Sequence, residues 1–228
     1  MKMITVAAKI IFLCALITAS PMANAQDVDL LLTHTMKSVG VDGITRTAEF
    51  SERVVRRKNQ IWTERIMPAS AITTPDAARA EKEFDTALAS RWIVRRADMK
   101  PELMLVNTRA KLVVPIDKPD YENIGFDGSW DSAYYLLDPK SLKQMYASGS
   151  RQADGTAWYE SKRGKGATQT TIKVLWDETF MYPRQIESVR ADGTDRKKMT
   201  ATKLAAQTTL PWDSTKNYRH KNYADFLD

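Results

Sequence analysis

Only two histidines stand in this chain of 228 residues, His34 and His220, and they lie near opposite ends of the sequence. A histidine-based metal site or triad would have to be assembled from these two distant segments. No serine sits in a G-x-S-x-G turn or begins an S-x-x-K pair, so serine nucleophile chemistry has no motif here. Gly164-Lys165-Gly166 lacks the spaced glycine and the following Ser or Thr of a phosphate loop. The carboxylate pairs Asp117 with Asp120 and Asp177 with Glu178 could bind calcium or act as acid and base, but neither has the spacing of a calcium loop. Both flank expected turns, where aspartate caps and solvates the backbone. The sequence therefore predicts no catalytic residue, no metal site and no cofactor: the protein is expected not to be an enzyme.

Binding chemistry is better represented. Six tryptophans are present, Trp62, Trp92, Trp130, Trp158, Trp176 and Trp212, and four of them fall on expected strands. Large amphipathic rings on one face of a curved sheet can line a cavity for a lipid chain or an apolar peptide, or they can fill a closed core. Pleat alternation gives a candidate ligand-binding set: Trp62, Ile66, Trp92, Leu103, Leu105, Trp158, Ile172, Val174, Trp176 and Ile186. Methionines such as Met99, Met104, Met145, Met181 and Met199 could add adaptable contact surface.

The elements that must position these residues follow from periodicity and turn signals. Val28, Leu31, Leu32, Met36 and Val39 recur at helical spacing before Gly40, which predicts an opening amphipathic helix over 27–39. Residues 46–54 and 60–66 read as a hairpin around Arg57-Lys58-Asn59. Pro75 starts a second expected helix, whose only large apolar residues are Phe84 and Leu88, so 75–90 is expected as a loosely held helical insertion. Strands are predicted at 91–96, 102–107 and 111–116, and short helices at 131–137 and 139–145. A closing antiparallel meander is predicted at 156–163, 168–177, 184–190 and 196–204, marked by Asp154-Gly155, Gly164-Lys165-Gly166, Tyr182-Pro183 and Asp192-Gly193. Within it Ile172, Val174, Trp176, Trp158 and Ile186 are expected to share one face, with Lys173, Gln185 and Glu187 on the other.

The N-terminus carries an address. Lys2 and Lys9 precede the apolar run from Ile10 to Ile17, and Ala23-Asn24-Ala25 follows, the three parts of an export signal cleaved near Ala25. Residues 1–25 are expected to be a cleaved signal peptide, leaving 26–228 as a single domain in the periplasm without a transmembrane segment. Cleavage also removes Cys14, the only cysteine, so the mature chain has no thiol for disulfides, zinc or nucleophilic attack. The formal charge of +6 falls to +4 with the loss of Lys2 and Lys9, a mild excess on a surface of interleaved charges. No nucleic-acid partner is expected, and a monomer is.

The order of these elements, with Val174-Leu175-Trp176-Asp177, Tyr182-Pro183-Arg184-Gln185-Ile186 and Ala191-Asp192-Gly193-Thr194 in the meander, resembles the periplasmic lipoprotein-carrier fold superfamily of the Lol carriers and the RseB-type sigma-factor regulators. Phe126-Asp127-Gly128 and Tyr134-Tyr135-Leu136-Leu137-Asp138-Pro139-Lys140-Ser141-Leu142-Lys143-Gln144 are similar to that family's D-G strand and Y-D-P-x-L-x-Q segment. Two departures stand out: Gly-Ser-Trp-Asp-Ser-Ala separates Asp127 from Tyr134, and residues 75–90 have no counterpart. The resemblance implies an α+β fold, a curved antiparallel half-barrel sheet capped by short helices. It also implies binding of a lipid or lipoprotein acyl chain, as in transport and outer-membrane sorting. The alternative is an accessory protein that docks a periplasmic partner protein through its sheet and C-terminal tail.

Overall fold

A computed structural model describes residues 27–68 and 84–226. Twelve strands form one open, curved sheet: β1 (Val28–Val39), β2 (Thr45–Arg57), β3 (Gln60–Ile66), β4 (Ser90–Arg95), β5 (Pro101–Asn107), β6 (Leu112–Ile116), β7 (Tyr146–Ala147), β8 (Thr156–Arg163), β9 (Thr170–Asp177), β10 (Tyr182–Arg190), β11 (Asp195–Lys203) and β12 (Arg219–His220). Their spatial order is β12-β6-β5-β4-β3-β2-β1-β11-β10-β9-β8-β7, antiparallel throughout except for β12 beside β6. Two meanders thus share one seam, where β11 returns to pair with β1. The curved antiparallel sheet with short helices is the fold class the sequence predicts.

The opening segment is a correction. Residues 28–39 form a central strand, not a helix. Val28, Leu30 and Leu32 alternate as well as Val28, Leu31 and Leu32 step by three and four, and the threonines at 33 and 35 suit a pleat. Pairing along both edges, with β2 and β11, settles the ambiguity in favour of the strand.

Because β6 and β7 lie near opposite edges, the chain between them must cross a whole face of the sheet. This crossing segment holds two 3-10 turns, Lys118–Asp120 and Glu122–Ile124, and two short helices, α1 (Trp130–Tyr135) and α2 (Pro139–Leu142). Ser129 caps α1 by accepting the Ser132 N–H at 3.1 Å, and Asp138 caps α2 by accepting the Lys140 N–H at 2.8 Å. Tyr121, Ile124, Phe126, Trp130 and Tyr134 bury against Leu30, Val54, Ile61, Leu103, Leu105 and Val114, so this face becomes the main core. Cations of the sheet hold the segment by its carbonyls. Arg91 donates to Ile124 O at 2.7 Å. Arg56, fully buried, donates through Nη1 to Tyr134 O and Met181 O, both at 3.1 Å, while its plane lies over the Tyr134 ring.

The opposite, convex face of the first meander is closed by the C-terminal tail. Buried Asp29 accepts from Arg57 at 2.6 Å and from the Gln207 N–H at 2.7 Å, which fixes where the tail leaves β11. Leu210, Trp212 and Tyr218 then cover Val55, Trp62, Met104, Val106 and Val113. Beyond β12 the chain turns over the β6 edge, placing Tyr223 and Phe226 against the main core, where Phe226 meets Phe84 at 4.7 Å between ring centroids. The expected helix from Pro75 lies, as far as residue 83, outside the described residues. From 84 to 89 the chain makes a turn capped by Asp85. The expected signal peptide also lies outside the described residues, and no helix among them is long and apolar enough to cross a membrane.

Candidate functional site

The crossing segment does not fill the concave face evenly. Between it and the sheet runs an open groove of about 650 Å³, within the usual range for a small-molecule site. Its floor takes residues from seven adjacent strands: Leu103 (β5), Arg91 and Ile93 (β4), Ile61 and Thr63 (β3), Glu52 (β2), Leu32, His34 and Met36 (β1), Lys197 and Met199 (β11), and Ile186 and Ser188 (β10). At about 4.8 Å per strand the groove follows roughly 29 Å of curved sheet. Its roof is Gly125, Phe126, Asp127, Ser132, Ala133 and Leu136. Leu136 can face the sheet because it leaves α1 in the left-handed conformation, φ 63°, between the two short helices.

Strand register explains the lining. Ile61 stands opposite Ile93, Ile93 opposite Leu103, His34 opposite Met199 and Met199 opposite Ile186, so these side chains share the concave face. The polar floor is a small island within it. His34 stacks on Phe50 at 4.6 Å and presents Nε2 to Glu52 Oε2 at 3.1 Å, in an arrangement too bent for a hydrogen bond.

Of the ten candidate residues, the structure places Leu103 and Ile186 in the groove. Leu105 lies beside it, fully buried in the main core. Ile172, Val174 and Trp176 are on the concave face in an adjoining cluster, where Val174 and Trp176 are buried with Leu142 of α2 and the half-buried Ile172, Tyr159 and Met181 pack against them. Trp62 and Trp92 stand opposite each other on the convex face, in the cluster under Trp212, where their indole N–H groups donate to Glu64 and Gln60 at 3.0 Å. Ile66 has the pleat parity of Trp62 and is 47% exposed. Trp158 stands opposite Leu175, one residue out of step with Trp176, so the expectation that Trp158 and Trp176 share a face is corrected.

The remaining chemical candidates disperse. His34 lies in the central strand and His220 in the edge strand, six strand spacings apart. Asp177 is buried and accepts the N–H groups of Thr179 and Phe180 and both Nε and Nη2 of Arg184, which defines the β9–β10 turn. Asp120 accepts from the Asn123 side chain at 3.2 Å. Among the described residues no three His, Cys, Asp or Glu side chains converge. No pattern in the sequence marks His34, Lys197 or the roof residues as neighbours, although Phe126-Asp127-Gly128 stands out as a motif.

No family model matches this sequence, and no curated protein matches it. Among solved structures the chain is similar to an uncharacterized conserved protein from Thermus thermophilus, with 10% identity over 86% of this chain and 90% of that one and a TM-score of 0.39. It is similar to a LolA superfamily protein from Nitrosomonas europaea, with 9% identity, 85% and 91% covered and a TM-score of 0.36. It is also similar to a chain of the MucA/MucB complex of Pseudomonas aeruginosa, with 11% identity, 85% of this chain and 56% of that one covered and a TM-score of 0.38.

Proposed function

We propose that this chain is an exported, non-catalytic binding protein of the periplasm, and that the concave groove takes an acyl chain or similarly long apolar ligand. The observation that carries this is the groove itself: a trough bridged by the crossing segment, with Leu32, Ile61, Ile93, Leu103, Met199 and Ile186 below and Phe126 and Leu136 above. At about 0.8 kcal/mol per buried methylene, a chain of ten or more carbons needs no covalent chemistry to be held. The export pattern of residues 1–25 supports the compartment, and the carrier or sensor role follows from a site that binds and releases. Titrating the protein with a fluorescent acyl probe tests this: saturable binding at micromolar concentration, competed by unlabelled fatty acid, is expected. No binding, or binding unchanged by Leu136→Asp in the roof, would remove the groove as the site.

A second reading has one observation in its favour. β7 covers only Tyr159 and Glu160 of β8, so residues 161–163 present an edge with no neighbouring strand among the described residues. A partner polypeptide could add there as a further strand. The tail is already packed on the body through Trp212 and Tyr218, so docking would rest on the sheet edge. Co-purification of a stoichiometric polypeptide, lost on Lys162→Pro, would favour this reading over the first.

A further inference from the structure

Three turns end the sheet on one side: residues 40–44 between β1 and β2, 191–194 between β10 and β11, and 164–169 between β8 and β9. Backbone hydrogen bonds stitch them into one rim, from the Val39 N–H to Thr194 O at 2.7 Å, from the Ala191 N–H to Gln169 O at 2.8 Å and from the Asp192 N–H to Ala167 O at 3.1 Å. The β1–β2 turn uses its polar groups on itself. The Gly40 N–H donates to Ile44 O at 3.0 Å and the Gly43 N–H to Gly40 O at 2.9 Å, while Asp42 accepts the Ile44 N–H at 2.9 Å and pairs with Arg46 at 2.7 Å. The Asp42 and Arg46 side chains fold across Gly40, where a Cβ would collide with both. What faces water is apolar instead: Val41 is wholly exposed and Ile44 is 56% exposed, the reverse of an ordinary turn, whose tip is polar.

The same rim gathers positive charge. Residues 37–49, 162–171 and 189–198, the three turns with their flanking strand ends, hold nine lysines and arginines against four acids, an excess larger than the +4 of the whole chain beyond residue 25. Three of those acids are engaged, Asp42 with Arg46, Asp192 with Arg190 and Thr194, and Asp195 with Lys197. Glu49, set back on β2, has no cation partner among the described residues, and the exposed Lys37, Arg163 and Lys165 have no acidic one. The groove floor also leads this way along β1, where Leu32 is buried, His34 half-buried and Met36, three residues before the strand ends, exposed.

We propose that this rim docks on the surface of an anionic phospholipid bilayer, with Val41 and Ile44 entering the interface and Lys37, Arg163 and Lys165 lying against the head groups. Two apolar side chains alone hold a protein to a membrane only marginally, and so do a few cations; together they supply the two signals that interfacial binding needs. The turn can leave water at low cost because its N–H groups at 40, 43 and 44 are already satisfied within it. Long lysine and arginine side chains set back from the tip can reach the head groups while their stems pack along apolar surface. Docking of this kind is a property of the rim and does not depend on which ligand the groove takes.

Co-sedimentation of the processed protein, freed of residues 1–25, with lipid vesicles tests this. Vesicles of phosphatidylcholine and phosphatidylglycerol in equal parts are expected to bind it at least tenfold more tightly than phosphatidylcholine alone, and added salt should weaken that binding. The Val41→Asp/Ile44→Asp and Arg163→Glu/Lys165→Glu variants, each checked for an unchanged melting temperature, should both lose at least tenfold, whereas Ile66→Asp, at an exposed apolar residue away from the rim, should bind like the parent. A tryptophan placed by Val41→Trp should shift its fluorescence to the blue on the mixed vesicles. Leu136→Asp in the groove roof should keep vesicle binding, and Val41→Asp/Ile44→Asp should keep the affinity for an acyl probe, so that rim and groove fail separately. Mixed-vesicle binding no tighter than neutral, or retained in either rim variant, overturns the proposal. Capture of polyglutamate without binding of any vesicle assigns the rim to an acidic polypeptide and overturns the membrane.

Discussion

The two faces of the first meander are each covered by a strap of chain, yet they end differently. On the convex face the tail closes the sheet with aromatic rings, and Trp62, Val55, Val106 and Val113 are almost wholly buried. On the concave face the crossing segment packs tightly over Leu30, Val54 and Leu105 but stands off from the sheet between Leu103 and Ser188. Trp62, Trp92 and Trp212 therefore fill the sealed face, whereas the open groove is lined chiefly by aliphatic side chains with a polar island. Large rings fill space once and for all; a site that must be vacated and refilled is better lined by side chains that leave room.

The contrast can be broken most severely at its tightest points. Trp62→Ala should cost about 3–5 kcal/mol by leaving a cavity on the sealed face, read as a lowered urea midpoint, with the affinity for an acyl probe unchanged in the protein that remains folded. Arg56→Met should cost a comparable amount. Burial pushes that guanidinium below its usual pKa, so its charge is expensive to hold, but its removal strands the Tyr134, Phe180 and Met181 carbonyls at about 1–3 kcal/mol each. Because the Tyr134 carbonyl belongs to the crossing segment, this variant should weaken probe binding as well. Ile186→Glu sharpens the comparison from the other side: the position is only half-buried, so the melting temperature should fall by a few degrees while probe affinity falls at least tenfold. If affinity survives, the groove floor does not touch the ligand.

Two smaller effects complete the series. Ile66→Ser, on the convex side and exposed, should change stability by less than about 0.5 kcal/mol and leave binding intact. At the far edge, the Tyr146 hydroxyl donates to Glu160 and holds that carboxylate below its ordinary range, with Lys173 and Lys162 adding to the effect. A carboxylate with a depressed pKa contributes its stability above the ordinary value and loses it as pH falls through the depressed one. The melting temperature of Glu160→Gln should therefore vary less between pH 5 and pH 3 than that of the parent.

The second meander is legible because its turns are written locally. Gly155 and Gly193 adopt φ 79° and 74°, which the Asp-Gly signals announce. Residues 28–39 are illegible because their apolar positions fit two periods, and the deciding partners, residues 195–203, lie over 150 positions away. Trp158 reads onto the wrong face for a similar reason: the register of β8 on β9 is set at the Gly164 turn, and one residue of slip inverts every side chain. The groove itself cannot be read from any one segment. His34, Ile93, Phe126 and Lys197 become neighbours only because the chain from β6 to β7 has to pass over the sheet.

The seam between β1 and β11 also sets a clock. Leu30 finds its second strand partner at Lys203, so the central strand stays half-paired until nearly the whole polypeptide has been made. Closing so long a loop is slow, since the entropy of bringing its ends together must be met before any of the seam's hydrogen bonds form. During that interval β1 offers a bare edge to whatever chain is near. A polypeptide built this way delays completion of its sheet until its last long strand has emerged.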